Sequence, residues 1–288
     1  MNARLKEFFG KHIMLPIFGL ERSVKIYFYL KTKQKINVKS PTGFCEKIQV
    51  RKLNSKSIYS ELADKYKVRE YVKEKIGEEY LIPLYFAKEK ITVEDLEKLP
   101  NSFVLKTNNG CKTNIIVKDK TKEDLNKIVK QMNKYTKRRF GYNSFEVFYN
   151  DIKPLIIAEE YIGDENSVPI DYKFHTFNQK NGKFIIKIQA DQGRFSGHHN
   201  REYFNESWQL EPYYNSERLK DYKFEKPKNL KKMLEVAKKL ASDFDYVRVD
   251  LYSVGNKVYF GELTFTHGSG YEVLSPKKYD QEWGSYWK

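Results

Sequence analysis

An α+β fold is the class this sequence predicts, on three observations. Strand-like and helix-like runs mix without the regular alternation of a parallel βαβ layout. Two pairs of strand-like runs are joined at Asn181-Gly182 and Gly255-Asn256, which is hairpin-turn chemistry. A hydrophobic share of 40%, with 15% aromatic, suffices for a packed core in 288 residues.

Taken in order, residues 1–40 carry Arg4, Lys6, Lys11, Arg22, Lys25, Lys31, Lys33, Lys35 and Lys39 against Glu7 and Glu21. With the apolar "FFGKHIMLPIFGL" interleaved, this basic arm reads either as a segment lying on an acidic membrane or as a helical arm packed on the main domain. No apolar run reaches the ~18 residues of a spanning helix. Pro16 and Glu21 interrupt the one candidate signal region and no small-residue cleavage site follows. A cytoplasmic location is therefore expected, peripheral at the inner face of the membrane on the first reading of the arm.

The stretch "SIYSELADKYKVREYVKEKI" sets Leu62, Tyr66, Val72 and Ile76 at helical spacing before Gly77, which predicts one or two helices. "FVLK", a polar Asn/Gly loop and "NIIVK" predict a hairpin with a long tip. A helix over 121–134 opens on a capping box, with Thr121 at the cap and Asp124 three residues on. "PLIIAEEYI" reads as a buried strand ending in two glutamates, and "DYKFHTFNQKNGKFIIKIQAD" as a strand pair. Pro227 precedes a helix with Leu230, Met233, Leu234, Ala237 and Leu240 on one face. The last hairpin joins "YVRVDLYSV" to "KVYFGELTF". No Gly/Ser-rich or Pro-rich linker divides the chain, so any domains pack closely.

The formal net charge is +15. Most of it is lysine spread along the chain rather than clustered with aromatics, so nucleic acid is not expected as a partner. Cys45 and Cys111 have neither zinc spacing nor a disulfide framework and read as packed thiols.

One ordered set of polar residues suits a nucleotide. Lys106 ends a strand before a loop containing Gly110, and a lysine with loop N–H groups neutralises phosphates. The strand ending in Glu159 and Glu160 offers backbone for an adenine edge and acids for ribose hydroxyls. Asp171 and Lys173 share a later strand. Asp250 and Glu262 lie on adjacent strands, where a hairpin brings two carboxylates together for Mg2+. Arg248, two residues before Asp250, points the same way and can stabilise developing negative charge.

These motifs resemble the TupA-like members of the ATP-grasp superfamily over roughly residues 40–285. The likeness is carried by "LADKYKVREYVKEKIGEEYLIPLY", "FVLKTNNGCKTNIIV", "EEYI" followed by "DYKFHTF", and "VRVDLYSVGNKVYFGELTFTHGSG". It implies an ATP-grasp fold of two α+β subdomains gripping ATP, here residues 101–162 and 163–288, after a basic arm (1–40) and a helical region (41–100). It implies ATP and Mg2+ as cofactors, with Lys106 and Gly110 at the phosphates and Glu159, Glu160, Tyr161 and Ile162 as the adenine hinge. Asp171 and Lys173 become a nucleotide pair, Asp250 and Glu262 the metal ligands, and Arg248 the residue that stabilises an acyl phosphate. Thr264 stands where the superfamily has a metal-binding Asn, and Asn109, Cys111 and Lys112 stand where relatives show His and small residues.

The activity so implied is an ATP-dependent carboxylate-amine ligase. It would join an amine to a carboxylated saccharide, such as a uronic acid, in capsule, O-antigen or cell-wall polysaccharide synthesis. A saccharide kinase, a glycosyltransferase and a basic polymer-binding protein remain as alternatives. Arg194 and Arg201 are candidates for acceptor recognition, since guanidinium pairs bidentately with carboxylate or phosphate. His267 is a candidate for orienting substrate, while the neighbouring His198 and His199 lack partners at zinc-ligand spacing.

Overall fold

The computed structural model describes residues 3–164, 168–179, 181–193, 200–213 and 223–288. The strands described form two antiparallel sheets. The first has the order β1-β4-β2-β3, from β1 (Leu84–Lys88), β2 (Phe103–Thr107), β3 (Ile115–Val117) and β4 (Ile156–Glu160). Phe103, Leu105, Val117, Ile156 and Ala158 form a core with Leu96 of α6 (Val93–Glu97) and with Ile128 and Met132 of α7 (Leu125–Tyr135). Strand β1 and α6 lie within residues 41–100, so that region is not wholly helical. Nor does Thr121 cap α7. Asp119 holds the Thr121 amide and hydroxyl at 3.1 and 2.7 Å in a preceding 3-10 turn, and Asp124 is the cap, accepting from the Lys127 amide at 3.0 Å.

The second sheet, β7-β6-β5-β8-β9, comprises β5 (Asp171–Asn178), β6 (Phe184–Gln192), β7 (Asn200–Phe204), β8 (Tyr246–Val254) and β9 (Lys257–Thr264). Its two faces differ because successive residues point to opposite sides. Tyr172, Phe174, Ile186, Ile188, Val247, Val249 and Leu251 share one apolar core with α4 (Ser57–Ala63), α5 (Val68–Ile76) and α8 (Leu230–Ala241). The opposite face is split. Phe177, Tyr203 and Tyr246 pack with Phe44 of α3 (Phe44–Leu53) and Trp283 of α9 (Lys278–Tyr286). Beyond them Lys173, His175, Gln189, Asp191, Arg201, Arg248 and Asp250 are buried yet polar or charged. Burial of such groups is costly unless they are mutually paired.

Two helices arise from residues 57–76 because Asp64 leaves the helical path and holds the turn before α5, accepting from the amides of Tyr66 (2.8 Å) and Lys67 (3.3 Å). At the N-terminus, α1 (Ala3–Phe9), a π-helical turn (Gly10–Met14) and α2 (Leu15–Thr32) form one arm. It bends at Gly19, whose φ of 69° and ψ of 175° are not helical. Met14 and Val24 pack on Phe145, and Phe28 joins the core of α3, so one side of the arm is docked on the body.

Candidate functional site

The turn at Gly255-Asn256 starts a register that pairs Leu251 with Phe260. Continued unbroken, it would set Asp250 opposite Gly261 and turn Glu262 to the apolar face beside Val249. A bulge between Asp250 and Leu251 leaves Gly261 unpaired, and beyond it Asp250 pairs with Glu262 and Arg248 with Thr264. A Cβ at position 261 would lie 3.1 Å from both the Asp250 carbonyl oxygen and a Tyr252 ring carbon, so glycine suits the bulge.

Charges alternate across this half-face. The Arg248 fork donates to both Asp250 oxygens (Nε 2.7 Å, Nη2 2.6 Å), Nη2 donates also to Glu262 (2.7 Å), and Nη1 donates to His267 Nδ1 (2.9 Å). Thr264 Oγ1 donates to Glu262 at 3.0 Å. On β5, Lys173 contacts Asp171 and lies 3.2 Å from Asp191 and 3.7 Å from Asp250. Arg201 is held by Asp191 (2.6 Å) and Glu272 (2.9 Å). Arg201 is therefore engaged in buried ion pairs rather than presented to an acceptor, and His267, 5% exposed, faces Arg248 rather than open space. Arg194 lies outside the described residues, as do His198 and His199.

On the first sheet, Lys106 Nζ lies 2.5 Å from Glu159, which Arg69 approaches at 3.5 Å. Lys65 donates to the Gly110 carbonyl at 2.9 Å and lies 3.3 Å from Glu262, so it joins the glycine loop to the second sheet. Asn108 anchors the base of that loop, donating to Asp64 (2.9 Å) and Lys153 O (3.0 Å) and accepting from the Leu155 amide (2.7 Å). The loop tip packs on Phe140: a Cβ on Gly110 would fall 2.3 Å from that ring. Glu160 lies apart from Lys106, beside a cavity of about 490 Å³ whose walls include Leu81, Pro83, Val258 and Tyr259. Tyr161 and Ile162 follow β4 directly, and the Tyr161 hydroxyl donates to Asp164 O at 2.9 Å. Asp64, Lys65, Arg69, Asp191 and His175 escaped the sequence reading. The first three sit where two helices meet, and helical periodicity treats such charges as solvated. Cys45 is packed as expected, but Cys111 is exposed.

Burial raises the Asp250 carboxyl against the pull of Arg248 and Lys173. It acts on Glu262 in the same sense, but there Lys65 and Arg248 outweigh it and carry the group below the usual carboxylate range. Glu262 thus holds its charge more firmly than Asp250. Burial also lowers His175 and His267 well below the ordinary histidine value, helped at His175 by His267 and at both by Arg248. Both are neutral in the fold, so the unfolded chain binds more protons below about pH 6.5 and stability falls as pH drops through that value. Each histidine is expected to remove about 1.4 kcal/mol between pH 7.5 and 5.5. Urea unfolding of wild type and His175→Gln at both pH values checks this. The variant's pH dependence should be flatter by that amount whatever its absolute stability, and parallel curves would refute the neutral assignment.

The donor chemistry fits a hard cation. Asp250, Glu262 and Thr264 offer only oxygen, and Asp171 Oδ1 is buried without a hydrogen-bond partner. Among the described residues no three His, Cys, Asp or Glu side chains gather closely enough to hold a metal alone. Mg2+ commonly takes one or two carboxylates and completes its shell with water and phosphate oxygens, so a facing pair suffices.

The profile of the family described as TupA-like ATPgrasp matches residues 46–288. No curated protein matches the chain. Similar solved structures include the D-alanine-D-alanine ligase of Helicobacter pylori, at 18% identity and TM-score 0.46, covering 79% of this chain and 61% of that one. Phosphoribosylglycinamide synthetase of Anaerococcus prevotii is similar at 17% identity and TM-score 0.38, covering 77% and 48%. The ATP-grasp ligase PsnB, complexed with a phosphomimetic variant of its minimal precursor, Mg and ADP, is similar at 9% identity and TM-score 0.40, covering 79% and 61%. The chain thus spans about three-fifths or less of the length of these proteins, and the likeness is one of fold alone.

Proposed function

The chain belongs to the TupA-like ATP-grasp family, and from that premise we propose that it is an ATP-dependent carboxylate-amine ligase working through an acyl phosphate. The observation that most supports this is the half-face on which Asp250 and Glu262 pair in register beneath the Arg248 fork. In the proposed reaction an acceptor carboxylate oxygen attacks the γ-phosphorus of ATP, the bond to the β-phosphate oxygen breaks and ADP leaves. An amine then attacks the acyl carbon, gives up a proton and expels inorganic phosphate.

Asp250 and Glu262, with Thr264 beside them, would hold Mg2+, which supplies charge neutralisation at the phosphate oxygens. Lys106 and the Gly110 loop bind and orient the triphosphate, Asp171 is set beside it by Lys173, and Glu159 to Ile162 form the adenine hinge. Arg248 stabilises negative charge on the acyl phosphate, and His267, accepting from Arg248 Nη1, holds its fork in place. No side-chain nucleophile takes part. The substrates of this reading are a carboxylated saccharide, such as a uronic acid of a bacterial surface polysaccharide, and an amine. It sets the enzyme in the cytoplasm with residues 1–40 toward a membrane.

Thermal unfolding of wild type and Asp250→Asn/Glu262→Gln with ATP-Mg2+, a UDP-sugar or no ligand tests the assignment. ATP-Mg2+ alone is expected to raise the wild-type midpoint, with about 2.7 kcal/mol of stabilisation at a hundredfold excess over Kd, and to leave the double variant unmoved. No response to ATP would overturn the site. ADP release that needs a saccharide but no amine would favour a kinase instead.

A further inference from the structure

The arm leaves one side uncovered. Among the described residues, the exposed large hydrophobics are Leu5, Phe8, Phe9, Ile17, Phe18, Ile26, Tyr29 and Leu30 of the arm, with only Tyr66, Tyr85 and Leu210 elsewhere. Exposure of this kind is therefore a property of the arm and not of the surface at large. The spacing of Leu5, Phe8 and Phe9, and again of Ile26, Tyr29 and Leu30, puts each trio on one helix face. The other face is fixed. Ser23, Val24 and Phe28 are buried, Glu7 accepts from the Arg139 amide at 3.1 Å, and a Cβ on Gly10 would fall 2.2 Å from Tyr142 O.

Exposed cations lie along the arm at Arg4, Arg22 and Lys33, while Lys11 and Lys31, also exposed, reach over the Tyr142 and Tyr27 rings. The two acids of the arm are engaged, Glu7 with Arg139 and Glu21 with Lys25 at 2.5 Å. No described helix is long and apolar enough to cross a membrane. Exposed apolar residues on a basic arm too short and too little apolar to span are the pattern of a helix lying in a lipid interface. We propose that the arm docks flat on an anionic phospholipid surface, with Leu5, Phe8, Phe9, Ile26, Tyr29 and Leu30 among the acyl chains and the cations at the headgroups. This deepens the membrane side of the proposed function but does not rest on the chemistry of the site. The Glu7 and Gly10 contacts bind the arm to residues 139–142, and Phe140 packs on Gly110. A docked arm therefore holds the glycine loop at a set attitude to the bilayer, where a lipid-carried acceptor would lie.

The test is co-sedimentation of the full chain, without nucleotide, with vesicles of phosphatidylcholine alone or with about 30 mol% phosphatidylglycerol. Binding to the anionic vesicles is expected to be at least about tenfold tighter, and to weaken in about 0.5 M NaCl. Phe8→Ser/Leu30→Ser, which alters exposed positions only, is expected to lose binding while keeping the wild-type unfolding midpoint and its response to ATP-Mg2+. Equal binding to both vesicles, binding unchanged in the variant, or a wild-type dimer by sedimentation velocity that the variant abolishes would each overturn the proposal, the last by assigning the face to a second copy. Loss of the ATP response in wild type, by contrast, would sink the ligase reading and leave this one standing.

Discussion

Replacing Arg248 by methionine is expected to cost about 3–5 kcal/mol of folding stability, because it removes the guanidinium that bridges two facing carboxylates and leaves them only the more distant Lys173 (3.7 Å) and Lys65 (3.3 Å). Arg248 is 7% exposed and Asp250 3%, so water cannot take over the lost contacts. Asp250 and Glu262 would then stand directly opposite one another, and like charges so placed are destabilising. Arg248→Lys keeps the charge but not the fork and should fall between. Urea unfolding at low ionic strength without divalent cation measures both. Added Mg2+ should then recover more stability in the methionine variant than in wild type. A loss under about 1 kcal/mol would mean that the pair is neutralised by some other means.

Lys173→Met is the second large effect, of about 3–5 kcal/mol by the same reasoning. Lys173 is 2% exposed and is the cation shared by Asp171, Asp191 and Asp250. Arg201 remains on Asp191 and Arg248 on Asp250, but among the described residues Asp171 keeps no ion pair of its own. Burial raises the Asp250 carboxyl and Lys173 helps to pull it down, so the folded variant keeps that proton to higher pH than its unfolded chain and loses stability as pH rises. The gap to wild type should therefore be wider at pH 8 than at pH 5. The same gap at both would show that the carboxylates are compensated elsewhere.

The sequence made the strands and hairpins legible for local reasons. Asn181-Gly182 and Gly255-Asn256 carry turn chemistry, and alternation along β8 separates Val247, Val249 and Leu251 from Arg248 and Asp250. Strand β1 is not legible because "LYFAK" is short and half-buried, with no alternation to mark it. Asp124 rather than Thr121 caps α7 because Asp119 ties Thr121 into the preceding 3-10 turn, which a capping pattern alone does not resolve. In the site, residues on strands were accessible to reasoning because a strand states which face each residue takes. Lys65 and Arg69 were not, because only the folded chain brings the turn between α4 and α5 against Asn108 and Glu159 and so points those side chains inward. The partners of Arg201 and His267 are not legible because a sequence shows a side chain's donors but not who has claimed them.

The bulge at Gly261 also bears on how this hairpin tolerates change in length. The two-residue turn and the pairing from Val254–Lys257 to Leu251–Phe260 form one ladder, and the Asp250–Glu262 pair begins another, displaced by a single residue. Between them Gly261 works as a slip joint. Removing it would let the two ladders run as one with Asp250 still opposite Glu262, whereas inserting one residue beside it would force a wider bulge or swing the glutamate into the apolar layer. Tolerance in this hairpin is therefore one-sided, with shortening by one residue at the joint preserving the pairing of the acids and lengthening threatening it.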